Sequence, residues 1–376
     1  MNLCRFGKTF TSLKQLSVFC FFICSHLCCS AQNIQDSLVI NLAAITEDSM
    51  VSRKTLLYID SSGSLPVHEI LNKKFTPLKS FTKRFTLPPG MVEYTYYLKL
   101  ILSNEGDKEI SAYLYPGAYY KQIDLYKLNG YTELLNNGDS IGGYKKLFLA
   151  PREKYQALIR LVPLKCEFNS ITPIIIRSHF IEAYKSFLVS HRNELIVFGY
   201  VTSGVLLMMI LFMLSNYLIS RKREFLYNAL YSICMFLLIF FNSHVARTNT
   251  GFTNLYYSYI DFLLLVGGAI FYIAFARRFL NTKNNYRSLD IVLKIGERFI
   301  LLLFCIYTCL NFFTQTYEIQ FYLENILKIL LLSIGIAFIY LALKKRDRLF
   351  TYLAAGNAML VLFSIISLTL ILTSVK

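Results

Sequence analysis

A series of long apolar stretches between residues 195 and 375 limits most how this chain can fold. A helix that crosses a bilayer needs about 20 predominantly apolar residues. Six stretches approach or exceed that length: 195–219, 225–242, 256–276, 299–313, 321–343 and 350–373. The fourth is short and carries Asn311. Backbone polar groups find no water inside a bilayer, so such stretches are expected to be helices. Composition agrees: the 376 residues are 55% hydrophobic and only 16% charged, whereas soluble domains lie near 25% charged. A disordered chain is excluded, and a wholly soluble one does not fit.

The charge pattern orients these spans. Arg221, Lys222 and Arg223 follow the first span, and Lys344, Lys345, Arg346 and Arg348 follow the fifth. Arg277, Arg278, Lys283, Arg287, Lys294 and Arg298 surround the loop after the third. The loop after the second has Arg247 alone, and 314–320 has no basic residue. Basic loops stay in the cytoplasm, so the odd loops are expected inside and the N-terminal part outside. Six spans that start outside also end outside, leaving no cytoplasmic domain beyond short loops. The formal net charge of +16 therefore reads as membrane orientation, and no nucleic-acid partner is expected.

Residues 1–31 have the marks of a secretory signal peptide. Arg5, Lys8 and Lys14 precede an apolar stretch, and Cys29-Ser30-Ala31 supplies small residues before a cut at Gln32. An uncleaved anchor, or a lipoprotein cysteine at Cys28 or Cys29, is the competing reading. Five of the nine cysteines (Cys4, Cys20, Cys24, Cys28, Cys29) lie in this leader, and Cys234, Cys305 and Cys309 lie in spans. Only Cys166 is left in the exported part, which can form no internal disulfide. Cys305 and Cys309 share a helix face, but two ligands are too few for a metal site; no metal and no cofactor is expected.

Residues 32–178 read as an extracytoplasmic all-β sandwich, jelly-roll-like. Short runs rich in aromatic and branched residues, such as 94–102, alternate with turn signals: Pro88-Pro89-Gly90, Asn104 to Asp107, Pro116-Gly117, Asn129-Gly130 and Asn136 to Asp139. Asn-Gly after Tyr126-Lys127-Leu128 predicts a hairpin. Tyr94, Tyr96, Tyr97, Tyr113, Tyr115, Tyr119, Tyr120, Tyr126, Tyr131 and Tyr144 crowd this region. Such rings stack on sugars, but they are equally ordinary half-buried strand residues, and none can be singled out as ligand-binding. His68, His179 and His191 are scattered with no acid, serine or cysteine at a telling spacing, so no catalytic residue is assigned and no enzyme is expected. In 179–194, Phe180, Ile181, Tyr184, Phe187 and Leu188 recur at helical spacing. They predict a juxtamembrane amphipathic helix, either a coupling element or a linker on the bilayer surface, before an all-α polytopic transmembrane bundle at 195–376.

Charges inside spans are costly and tend to be functional. Asp261 lies early in the third span, and Glu324 and Lys328 lie at i, i+4 in the fifth. They form a candidate intramembrane polar cluster near the outer leaflet. The competing reading has each side chain reaching interfacial water on its own.

Three stretches carry a family resemblance. Tyr96-Tyr97-Leu98-Lys99-Leu100 to Asn104, Tyr113-Leu114-Tyr115-Pro116, Ile123-Asp124-Leu125-Tyr126 and Gly138-Asp139 resemble one type of exported sensor domain. Asn216 with Arg221-Lys222-Arg223-Glu224-Phe225-Leu226-Tyr227-Asn228-Ala229-Leu230-Tyr231 resembles a first inner loop and second span. Phe275-Ala276-Arg277-Arg278-Phe279-Leu280-Asn281 resembles the end of a third span. Together they resemble the bacterial seven-transmembrane receptors with diverse intracellular signalling modules (7TMR-DISM), with the second type of extracellular domain. The resemblance implies a jelly-roll domain binding carbohydrate or another small ligand. It also implies a seventh span and a cytoplasmic output domain. The chain has no Trp where that family usually carries one in the strand around Tyr96 and Tyr97. Either the sequence is a fragment, or signalling passes to a separate cytoplasmic partner. The expected function is a receptor in the inner membrane of a bacterium, with the lipid bilayer and a small extracytoplasmic ligand as its other partners. The alternative is a transport or export component with an accessory sugar-binding domain; it would want broken helices along a path, and no proline follows Pro173.

Overall fold

The structure is a computed structural model. It describes residues 38–63, 65–78, 87–128, 132–134, 143–166, 168–190, 193–244, 251–314, 316–345 and 348–374. The expected signal peptide and the turn at Gly138-Asp139 lie outside the described residues.

Eleven strands come first among the described residues: β1 Val39–Asn41, β2 Asp48–Met50, β3 Leu56–Asp60, β4 Thr76–Pro77, β5 Thr95–Ser103, β6 Ile110–Tyr115, β7 Tyr120–Leu128, β8 Thr132–Leu134, β9 Lys145–Leu149, β10 Lys154–Pro163 and β11 Ile174–Arg177. They form two sheets. One runs β4-β3-β5-β10-β7-β8 with β1 alongside β5, and the other runs β2-β11-β6-β9. The pairs are antiparallel except β1 on β5, which is parallel. The period-two pattern of β5 explains the packing. Tyr96, Leu98, Leu100 and Leu102 point into the space between the sheets, where they meet Ala112, Leu114, Leu147, Leu149 and Ile175 of the second sheet. The expected hairpin forms, with Tyr126 opposite Leu134 and Leu128 opposite Thr132. Asn104 is buried; its amide donates to the carbonyls of Lys108 and Ala150, which ties down the predicted turn. Gly117 adopts φ +140°, and a Cβ there would lie 1.9 Å from the Ser170 carbonyl oxygen, so only glycine fits.

Helices follow a single turn, α1 Val67–Ile70, within the strand region. They are α2 Ile181–Ser190, α3 Asn193–Ser220, α4 Arg223–His244, α5 Gly251–Leu255, α6 Asp261–Phe279, α7 Thr282–Asn285, α8 Arg287–Phe313, α9 Tyr317–Lys345 and α10 Arg348–Ser374. A π-helical turn, Tyr256–Ile260, joins α5 to α6. Among the described residues, four segments are long and apolar enough to cross a membrane: Ile196–Ser220, Arg223–His244, Gly251–Phe279 and Tyr317–Lys344. The remaining expected spans, 299–313 and 350–373, lie within α8 and α10, each 27 residues and so about 40 Å long. Helix α8 begins 12 residues before the expected stretch at 299. Leu289, Leu293, Gly296, Ile300, Leu303 and Tyr307 recur every three or four residues and are buried, so an amphipathic helix forms before the sequence becomes uniformly apolar.

Helix α2 lies on the outer face of the second sheet. Ile181 and Tyr184 pack against Tyr113, Tyr115, Tyr144 and Ile176.

Candidate functional site

Two residues of the helical part belong to the core of the sandwich. Tyr317 and Phe321, in the first turns of α9, are buried with Leu98, Leu114 and Ile175. Two charges of the β domain hold the same place. Glu93 Oε1 accepts a hydrogen bond from the Tyr317 backbone N–H at 2.7 Å, at the N-terminus of α9. Lys165 Nζ donates to the carbonyls of Asn311, at 3.2 Å, and Thr314, at 2.6 Å, at the C-terminus of α8. A helix N-terminus carries partial positive charge and a C-terminus partial negative charge. Each cap therefore has the favourable sign, and together they grip both ends of the α8–α9 turn. Partial burial, with Lys121 beside it, pulls the Lys165 ammonium below the ordinary lysine range, while Glu93 pulls the other way.

A cavity of about 240 Å³ lies on this same side of the helices. Its lining contains Asp261, Glu324 and Lys328, so the three residues expected as a polar cluster are brought together. Tyr256 and Tyr257 of the π-helical turn, and Phe168 of the β domain, complete the wall. Tyr307, which sequence reasoning did not single out, donates its hydroxyl to Glu324 Oε1 at 3.1 Å.

The outer face of the larger sheet holds a second group. Register places Tyr58, Tyr97, Arg160 and Asp124 in one row across β3, β5, β10 and β7. Arg160 Nη1 lies 3.6 Å from Asp124 Oδ2, and buried Arg160 Nε has no hydrogen-bond partner among the described residues. Burial raises the phenol pKa of Tyr97 and Tyr126, and the Arg160 charge opposes the rise at both. The α1 region covers the Tyr97 half of this row with Leu65, Val67, Leu71 and Phe75. Asp124 and Arg160 remain half-buried at its edge. Other tyrosines are structural: Tyr96 donates to the Met91 carbonyl and Tyr120 to the Ser170 carbonyl, both fully buried.

At the far end of the bundle from the β domain, Arg277 binds Asp290 at 3.2 Å and Glu297 at 2.7 Å. Lys294 and Thr282 also bond Asp290, at 2.7 and 2.8 Å. This knot ties the end of α6 to the start of α8. Sequence reasoning counted Arg277 only as one more positive loop charge; the i, i+4 pair Asp290 and Lys294 was the available signal. Cys305 and Cys309 are exposed on α8, and no group that could hold a metal ion occurs among the described residues.

The β-sandwich is set on a polytopic helical bundle and joined to it through Tyr317, Phe321, Glu93 and Lys165. The family model described as 7TM diverse intracellular signalling matches residues 195–375. The helical part of this chain belongs to that family of seven-transmembrane signalling receptors. No curated protein matches the chain.

Proposed function

We propose that the protein is a bacterial inner-membrane receptor that senses a small extracytoplasmic ligand through its β-sandwich and passes a conformational signal into its helices. The observation that carries the reading is the placement of Tyr317 and Phe321 in the sandwich core, with Glu93 and Lys165 capping α9 and α8. A movement between the two sheets must then move the α8–α9 turn. A ligand can drive this only by binding one arrangement better than the other. The orientation is supported by the charge pattern: the basic 277–298 region lies at the end away from the sandwich, as a cytoplasmic loop should. The half-buried pair Arg160 and Asp124 beside Tyr126 supports a carbohydrate as ligand class, since guanidinium and carboxylate together match adjacent hydroxyls and an aromatic face matches a sugar ring. In this reading the signal leaves the helices at the end away from the sandwich.

The test places spin labels at Lys283 and Lys344, at the far ends of the bundle, in the full chain in nanodiscs. A panel of mono- and oligosaccharides is then added. A binding sugar should shift the interlabel distance, and Arg160→Ala should abolish both binding and shift. A sugar that binds through Arg160 without any far-end shift refutes the receptor mechanism. Lys165→Ala should alter the distance distribution without ligand, which tests the coupling separately from the ligand class.

A further inference from the structure

A second cavity, of about 260 Å³, lies within the helices, walled by α4, α6, α8, α9 and α10. Among the described residues it shares only Leu265 with the cavity beside the β domain. Packed interiors seldom leave a void larger than a water molecule, and here the reason is side-chain size. Ala269 and Ala276 of α6 and Gly335 of α9 line the space. The helices themselves do not stand apart: a Cβ on Gly335 would lie 2.7 Å from Val361 Cγ2 of α10. No charged side chain lines this cavity among the described residues, so an ion would lose its water there without gaining a partner. Tyr231 and Tyr272, with ring centroids 5.4 Å apart, supply aromatic walls together with Phe338. One amide stands in this apolar setting: Asn357, only 5% exposed. Its Oδ1 accepts from the Tyr272 hydroxyl at 2.6 Å, which fixes the amide. Its Nδ2 has no partner among the described residues. A buried donor without an acceptor is costly, and the hydrocarbon of a bilayer supplies none. An acceptor oxygen on a bound molecule would remove that cost.

We propose that this cavity binds an uncharged lipophilic molecule about the size of two fused rings, carrying one acceptor oxygen for Asn357. An apolar cavity of about 150 Å³ stays dry and takes up benzene, so a space of about 260 Å³ suits a molecule one ring larger. The ligand is distinct from the one assigned to the sandwich, because the site is built from helices alone. By touching five helices at once, it would favour the arrangement in which they are packed together.

The test uses the full chain in nanodiscs and two matched probes, 1-tetralone and tetralin, which share a two-ring frame and differ by one carbonyl oxygen. Thermal unfolding is followed as each is added, and amounts are compared as concentrations in the lipid phase. Ala269→Phe fills the cavity and reports the response of the bilayer alone; Val361→Phe, on another helix, replaces it if that variant does not fold. Both probes should raise Tm in the parent above the filled variant. Tetralone should act at about three- to tenfold lower content, the worth of one hydrogen bond. Asn357→Leu, which keeps the wall apolar, should bring the two probes to the same content. Equal contents in the parent, or a difference that survives Asn357→Leu, overturns the proposal. So does the absence of a rise above the filled variant with both probes, which is the result a lipid acyl chain held in the cavity would give.

Discussion

Replacing Glu93 by Ala removes a side chain of the β domain that caps the start of α9. Its carboxylate accepts from the Tyr317 N–H at 2.7 Å and lies 3.5 Å from the Glu318 nitrogen. These N–H groups have no acceptor within their own helix. Loss of a side-chain cap costs about 1 kcal/mol. Loss of a negative charge at a helix N-terminus adds about 0.3–1 kcal/mol. The sum, about 1–2 kcal/mol, raises the population of the opened turn by about 5–30-fold. The measurement is amide hydrogen exchange by mass spectrometry in nanodiscs, comparing peptides that cover 316–323 with peptides from the middle of α9. Exchange should accelerate by that factor in the first peptide and hold constant in the second. Acceleration of less than about twofold, or an equal change along all of α9, would show that Glu93 does not anchor the helix.

Phe321→Ala should destabilise the sandwich by about 3–4 kcal/mol, the usual cost of emptying a buried aromatic site, read as a lower unfolding midpoint of the β domain in the full chain. Gly117→Ala should cost at least about 2 kcal/mol, because the new methyl meets the Ser170 carbonyl at a φ that side chains avoid; a stability within about 0.5 kcal/mol of the parent, the size seen for neutral surface changes, would contradict the geometry. Asp290→Asn, which leaves Arg277 and Lys294 without their shared buried charge, should cost about 3 kcal/mol and loosen the far end of the bundle in exchange measurements. Burial pushes the Glu153 carboxyl up, but hydrogen bonds from Lys127 and the Ala150 N–H outweigh it and set its pKa below the ordinary 4.5. The depressed pKa means its stabilisation is complete above pH 4.5 and fades as the pH falls through the lower folded value. Glu153→Gln should flatten acid unfolding in that window and nowhere else.

The two halves were legible to different depths. Apolar runs and basic loops read directly as helices and ends, since bilayer thickness forces length and burial forces composition. The β domain was legible through its turns: Asn129-Gly130 predicts the β7–β8 pairing, and Asn104 to Asp107 is a turn held by Asn104. The polar cluster was expected from cost alone, because charges at Asp261, Glu324 and Lys328 have no cheap place in a span, and the three line one cavity. Pairings across long sequence separation were not legible. Glu93 and Lys165 look like ordinary surface charges in the sequence, and nothing near them names Tyr317 or Thr314, about 150 to 220 residues away. The early start of α8 was missed because its first turns are amphipathic, and a window tuned to continuous apolarity passes over them. The tyrosines could not be sorted either: alternation along β5 decides that Tyr96 faces the core and Tyr97 the outer sheet face, but the choice between sugar platform and packing waits on what covers each face.

The loan of Tyr317 and Phe321 to the sandwich has a consequence for biogenesis. The last strand ends at Arg177, and about 140 residues must still be made before Tyr317 leaves the ribosome. At roughly 5–20 residues per second, the sandwich spends about 7–30 s with an open seam between its sheets. During that interval it depends on whatever shields nascent apolar surface. Its closure then coincides with the arrival of α9, so correct insertion of the late helices becomes the event that completes the first domain. A chain whose α8–α9 turn enters the bilayer on the wrong side would carry an unfinished sandwich, visible to quality-control proteases as a folding defect far from the segment that failed.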